Sequence, residues 1–381
     1  MAEARTTERP GGLRDLGLRI GTLPTGPANA ITDVGDVAVG HVTVVRDEPG
    51  RPAGRGVART GVTAIAPRAP RTLLAAPAPA GAAVLNGAGE MTGFLQVSEW
   101  GVIETPVYLT STMAVGRVFD GAVAAAAAAD PAVRDQVVIP VVAECDDSWL
   151  NEPIPVQVEA DDAGRALATA TGGPVAQGAV GAGTGMICFG WKGGIGTSSR
   201  VVEDLGATVG VLVLANFGAW RDLRIDGVPV GRLLGAAGDG PAPVERTPAG
   251  SCIAVVATDA APRDCPARAG RAVPASGSRA PGPSPTTGAA RSSSRSPPEH
   301  ATARLLPVRP TGRERRASAS ARCPTATSIR YSRRPSTRRR KAVLNALWAA
   351  EDTTGRGGRI VRALPHDDVV DLLTTHRRLG H

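Results

Sequence analysis

From about residue 16 to 261, short runs of β-branched and apolar residues alternate with stretches of helical periodicity. ITDVGDVAVGHVTVVRD (31–47) and GVTAIAP (61–67) read as strands separated by turn signals. VVIPVVAEC (137–145), VQVEA (156–160), TVGVLVLANFG (208–218) and SCIAVVATDA (251–260) read as further strands. Several are apolar on both faces, which predicts sheets buried between other layers. AVGRVFDGAVAAAAAADPAVRD (114–135) predicts an Ala-rich helix ending near Asp130-Pro131, because proline disfavours helix at the residue before it. KAVLNALWAAEDTT (341–354) predicts another helix, and RIVRALPHDDVVDLLTTHRR (359–378) closes the chain.

Between these patterned regions, residues 262–340 lose almost all apolar periodicity and become rich in Arg, Pro, Ser and Ala. Composition alone reads as a disordered linker, with an arginine-rich nucleic-acid tail as the alternative. The charge is correspondingly lopsided. The 381-residue chain carries a net +8, but residues 262–340 hold 18 Arg, no Lys and three acids. The remainder, with 25 basic and 32 acidic side chains, is therefore acidic. The basicity belongs to one segment, which argues against a nucleic-acid function for the body of the protein.

The remaining composition narrows the class further. Hydrophobic residues at 42% suffice for a core, and aromatics at 3% leave it to Val, Leu, Ile and Ala. No run of about 18 apolar residues stands out, which argues against a membrane span. The polar MAEARTTERPGG start lacks the apolar middle of a signal peptide. Five dispersed cysteines without a CxxC pair point to reduced thiols in a cytoplasm, not to a disulfide frame or zinc site. GAVGAGTGMICFGWKGGIGTSSR (178–200) invites comparison with phosphate loops, but lacks their Gly-Lys-Ser/Thr ending. The acids of His366-Asp367-Asp368 are explained by a helix N-terminus. No metal or other cofactor is implied.

One step in the chain carries unusual chemistry. Gly250-Ser251 sits at the mouth of the strand SCIAVVATDA, where an ordinary turn is the plain reading. A serine can act without histidine if cleavage makes it the first residue of a chain, because its own α-amine then serves as base. That amine titrates near about 7.7–8.0, close to working pH. Gly250 suits such a cut because it tolerates strained geometry before the serine. The chemistry also needs an oxyanion donor, and Asn216 ends the apolar strand LVLAN, although a turn role explains it equally. Glu144 ends VVAEC ahead of Asp146 and Asp147, where it reads either as a solvated strand end or as a carboxylate for a substrate ammonium.

Taken together, NAITDVGDVAVGH (29–41), RTGVTAI (59–65), LNGAGEMTG (85–93), VVAECDDSWLN (141–151), GPVAQGAVGAGTGMICFGWKGGIGTSSR (173–200), TVGVLVLANFG (208–218) and GSCIAVVATDA (250–260) resemble the DmpA-type L-aminopeptidase/D-esterase family. That family includes the β-peptidyl aminopeptidases. The resemblance implies a single four-layer α/β/β/α sandwich of the Ntn-hydrolase-like kind, cut by itself into an N-terminal chain 1–250 and a C-terminal chain 251–381. It implies Ser251 as nucleophile, Asn216 as oxyanion-hole residue and Glu144 as anchor for the substrate's free N-terminus. Short peptides, amides or esters would be the substrates, with no cofactor and a homo-oligomer, a tetramer, as the assembly. Asp146 departs from the pattern, since some members carry a tyrosine there. An acyltransferase of the related ornithine acetyltransferase type would use threonine at the cut, so Ser251 weighs against it.

The larger departure is the segment 262–340, where the family continues through a strand and a Gly-Ser-Gly-acid motif. Joining the last base of each codon to the first two of the next permits SGEIVVAFSTG through Glu299, its glutamate coming from Ala290-Arg291. The same shift permits GLGLARTGSVAHHG across Arg271–Gly288 and DPLFEATVDAATE across Ser328–Lys341. Three family-like stretches point to two compensating frameshifts, one shortly after Asp259 and one near Lys341. The chain as written is then expected to lose a core strand, half a helix and an assisting serine-acid pair, and to fold poorly. A remnant without activity, binding acidic partners through its basic segment, is the alternative.

Overall fold

The computed structural model describes residues 12–84, 89–238, 240–241, 250–260, 302–305 and 337–379, with the side chains of 302–305 and 337–339 left aside. Its strands are β1 (Ala38–Asp47), β2 (Val57–Ala66), β3 (Ala78–Ala82), β4 (Val102–Ile103), β5 (Val107–Ser111), β6 (Val141–Cys145), β7 (Ile187–Cys188), β8 (Trp191–Lys192), β9 (Gly194–Val202), β10 (Ala207–Asn216), β11 (Ser251–Thr258), β12 (Thr302–Leu305), β13 (Thr353–Thr354) and β14 (Ile360–Val361). Its helices are α1 (Pro70–Ala75), α2 (Phe94–Trp100), α3 (Val115–Ala129), α4 (Asp161–Ala168), α5 (Val230–Ala237), α6 (Thr337–Trp348) and α7 (His366–Thr375).

Two sheets stack face to face. One runs β1-β2-β5-β6 and the other β4-β3-β12-β11-β10-β9. Strand alternation explains why strands of both sheets carry apolar residues on both faces. On β10, Leu212 and Leu214 enter the seam between the sheets with Ile65, Leu109, Ala143 and Val255. Val211, Val213 and Ala215 face the opposite side, against Leu344 and Leu347 of α6 and Val369 of α7. Likewise Ile65 of β2 points into the seam, while Val62 and Ala64 meet Val118 of α3 and Ala163 of α4. A period of two with both faces buried leaves helices as the outer layers, giving the expected α/β/β/α sandwich.

The contact between α6 and β9 depends on a missing side chain. A Cβ on Gly196 would stand 2.0 Å from the Ala342 carbonyl oxygen, so the helix can lie directly on the strand only because residue 196 is glycine. Asn345 Nδ2 then reaches the Thr197 carbonyl at 2.8 Å and ties the two elements together.

Most expected elements are present, and α3 stops at Asp130-Pro131 as read. VQVEA is a correction: residues 156–160 form no strand. Arg46 and Arg55 hold the Gln157 and Val156 carbonyls through their guanidinium groups, so side chains satisfy the backbone that a ladder would have paired. The glycine-rich stretch 178–200 is spent on β7, β8 and β9. The stretch Thr112–Ala129 is long and apolar enough by composition to cross a membrane. Its Val118 and Ala122 nevertheless pack on Val142 and Tyr108 as a core helix.

Most of 262–340 lies outside the described residues, as do the expected frame change and the missing serine-acid pair. Within that range, β12 pairs antiparallel with β11 and parallel with β3. This strand is four residues long.

Candidate active site

β10 and β11 are antiparallel neighbours whose register sets Asn216 opposite Ser251. Alternation turns both side chains into the seam, on the faces that carry Leu214 and Ile253. Asn216 Nδ2 donates to Ser251 Oγ at 3.2 Å and to the Asp146 carbonyl at 2.8 Å. Its Oδ1 accepts from the Ile187 N–H at 2.9 Å. The amide is thus held on both ends, with one hydrogen directed at the serine oxygen.

Asp146 contributes through its backbone, so the departure from tyrosine does not disturb the hold on Asn216. Its own carboxylate accepts from Ser148 N at 2.9 Å. Cys145, on the opposing sheet, also faces the seam. Its fully buried thiol is pushed well above the ordinary range by desolvation, against a hydrogen bond with the Ser251 side chain. Sequence reasoning passed over this cysteine, although it adjoins Glu144.

Gly250 meets Phe217 closely: a Cβ there would lie 2.7 Å from Phe217 Cβ and 2.9 Å from its Cα. What glycine provides at this step is space beside Phe217. Phe217 in turn packs edge-to-face on Phe189, with ring centroids 5.4 Å apart.

Glu144 is placed differently from the other candidates. Alternation along β6 turns it away from the seam that Cys145 faces, and it is buried at 5% exposure. One oxygen, Oε1, accepts from Glu90 N at 3.1 Å, and Oε2 accepts from Thr112 Oγ1. Two bonds leave a carboxylate with free lone-pair positions for a cation. The structure therefore joins Ser251 to Asn216 directly and sets Glu144 on the neighbouring strand end, one residue before the thiol that touches the serine.

Two buried charges complete the surroundings. Asp147 accepts from Ser111 Oγ at 2.8 Å and Asn151 Nδ2 at 3.1 Å. Burial pushes its carboxyl up to about 6. Lys192 is wholly buried, and its ammonium donates to the carbonyls of Gly183, Met186 and Gly193 at 3.1, 2.8 and 2.9 Å. Sequence reasoning named Asp147 only as a neighbour of Glu144 and did not mark Lys192. Lys192 had one signal, a lone cation inside the apolar, glycine-rich run MICFGWKGG.

With a serine and an amide facing each other at paired strand ends, comparison with known proteins becomes informative. The family model for peptidase family S58 matches residues 29–275. This chain belongs to peptidase family S58. It is 36% identical to the beta-peptidyl aminopeptidase BapA of Sphingosinicella microcystinivorans over 401 aligned residues, spanning 100% of this chain and 96% of that protein. Among solved structures it resembles the Burkholderia sp. beta-aminopeptidase, at 33% identity and a TM-score of 0.68 over 97% of this chain and 99% of that one. It also resembles the L-aminopeptidase D-Ala-esterase/amidase of Ochrobactrum anthropi, a prototype serine aminopeptidase with a variant of the Ntn hydrolase fold. That match has 31% identity and a TM-score of 0.72, covering 97% and 100% of the two chains. The S58 chain is accordingly a hydrolase of the aminopeptidase class, and its four layers are those of the Ntn-type fold.

Proposed function

We propose that this S58 member is a self-processing aminopeptidase whose nucleophile is Ser251. In the first step Ser251 Oγ attacks the Gly250 carbonyl, the peptide bond shifts to an ester, and water hydrolyses that ester. The products are chains 1–250 and 251–381, the second beginning with a free α-amine. In turnover that amine accepts the Oγ proton as the serine attacks a substrate carbonyl, and returns it to the leaving amine or alcohol. Water then releases the acyl group. Asn216 Nδ2–H, already directed at Oγ, donates to the oxyanion as it forms, and Glu144 takes the substrate's ammonium with its unused lone pairs.

The observation that carries this reading is the 3.2 Å contact between Asn216 Nδ2 and Ser251 Oγ at the paired strand ends. Substrates are short peptides, amino-acid amides or esters with a free amino group. The names of the relatives set the assay panel: β-peptides, L-amino-acid amides and D-alanyl esters. A cytoplasmic, homo-oligomeric enzyme completes the proposal, supported for the compartment by the free thiols of Cys145 and Cys188.

Intact-mass measurement on the purified protein tests the scheme. The wild type should give two fragments meeting at 250/251, and Ser251→Ala should remain one uncut, inactive chain. Normal processing of that variant would falsify the assignment of the nucleophile.

A further inference from the structure

Lys192 does not touch Ser251, yet a short covalent and hydrogen-bonded path links them. Its Nζ donates to the Met186 carbonyl at 2.8 Å. That carbonyl belongs to the same planar peptide unit as the Ile187 N–H, which donates to Asn216 Oδ1 at 2.9 Å. Asn216 Nδ2 in turn donates to Ser251 Oγ at 3.2 Å. Every link runs in one sense, donor to acceptor, from a cation to the serine oxygen. We propose that Lys192 is a positioning residue of the active site, acting through the Met186–Ile187 peptide to orient and polarise the Asn216 amide.

The geometry favours this over a purely structural lysine. The three ammonium hydrogens match three carbonyls, Gly183, Met186 and Gly193, so the cation fixes the turn before β7 and the exit of β8 at once. The β7–β8 hairpin is only two residue pairs long, Ile187↔Lys192 and Cys188↔Trp191. The Met186 carbonyl also accepts from Gly193 N at 3.1 Å, so the ammonium adds a second, charged donor to the peptide that holds Asn216. In a buried setting, a charge at one end of a hydrogen-bond chain strengthens each later donor. The Asn216 hydrogen therefore becomes a better partner for an oxyanion than an amide held by neutral groups. Burial alone pulls the ammonium down to about 7, opposed by the neighbouring Cys188 and Asp147. Glu144, bonded to Glu90 N and Thr112, lies off this path.

The proposal rests on Asn216 serving the oxyanion, and the test separates the two. Lys192→Met, Asn216→Ala and the double variant are compared in kcat, KM and rate of self-cleavage. Asn216→Ala should lower kcat by about 10²–10³. Lys192→Met should lower kcat at least about tenfold while KM for the amine-bearing substrate stays within about twofold. In the double variant the lysine change should add less than about twofold, because its route to the serine is already cut. If it costs the same factor with and without Asn216, Lys192 acts elsewhere and the proposal fails. If Asn216→Ala turns over like wild type, the oxyanion assignment itself falls. Should Lys192→Met not fold, Lys192→Gln, whose amide still donates two hydrogens, takes its place in the same cycle, and the same two comparisons decide.

Discussion

Asn216 has no spare hydrogen. One is on the Asp146 carbonyl at 2.8 Å and the other on Ser251 Oγ at 3.2 Å, so turning the amide breaks both bonds at once. The next residue, Phe217, is what Gly250 packs against, and this couples the space at the cut to the orientation of the amide. Gly250→Val would force Phe217 outward and shift the Asn216 amide relative to Ser251 Oγ. Self-cleavage should slow by about tenfold or more, equivalent to about 1.4 kcal/mol. A time course of intact mass reads it, and cleavage at or above the wild-type rate would refute the coupling. At this scale Ser251 and Asn216 were legible because each stands at the end of an apolar run, where a polar side chain needs a reason. Cys145 and Lys192 were not. A cysteine in an apolar strand looks like core, and a lysine beside glycines looks like an exposed turn, although Lys192 is 0% exposed.

The strands were read well wherever apolar residues filled both faces. β10 and β11 fall within TVGVLVLANFG and SCIAVVATDA, and their pairing brings the candidate residues Asn216 and Ser251 opposite each other. What the pattern could not show is which strands pair, since register comes from packing across the sheet. It also misread VQVEA, whose alternation is genuine but whose carbonyls are held by arginines from elsewhere in the chain. The glycine-rich stretch concealed β9 for a related reason: glycine has low strand propensity, yet here it makes room for a helix. Gly196→Ala puts that account to use. One methyl group against the Ala342 carbonyl must lift α6 from β9 and strain the Asn345–Thr197 bond. Stability should fall by about 1–3 kcal/mol, measured as a lower urea midpoint with an unchanged slope. An unchanged midpoint would mean that the helix does not seat on the strand as described.

Across the whole molecule, the change of reading frame offers one consequence that the structure can weigh. The family match ends at residue 275, not far beyond the point where the apolar pattern stops. At the other boundary stands Lys341, 3% exposed on α6, with its Nζ among the buried side-chain atoms lacking a hydrogen-bond partner. Burial first, then the charges of Arg200 and Arg14, push its ammonium down to about 8, with Asp15 acting the other way. A cation is poorly matched to a position flanked by two arginines, and a carboxylate would suit it. Read in the displaced frame, the codons of Arg340 and Lys341 permit glutamate. If the segment is displaced, Lys341→Glu should stabilise the chain, whereas charge reversal at a buried site otherwise destabilises it. Relieving an unpartnered buried donor and gaining arginine partners should be worth about 1–3 kcal/mol, since unsatisfied buried groups cost that much. The urea midpoint at neutral pH measures it. A rise would tie the boundary of the frame change to this turn of α6, and a fall would mean that lysine belongs there and that the patterned sequence resumes earlier than Lys341.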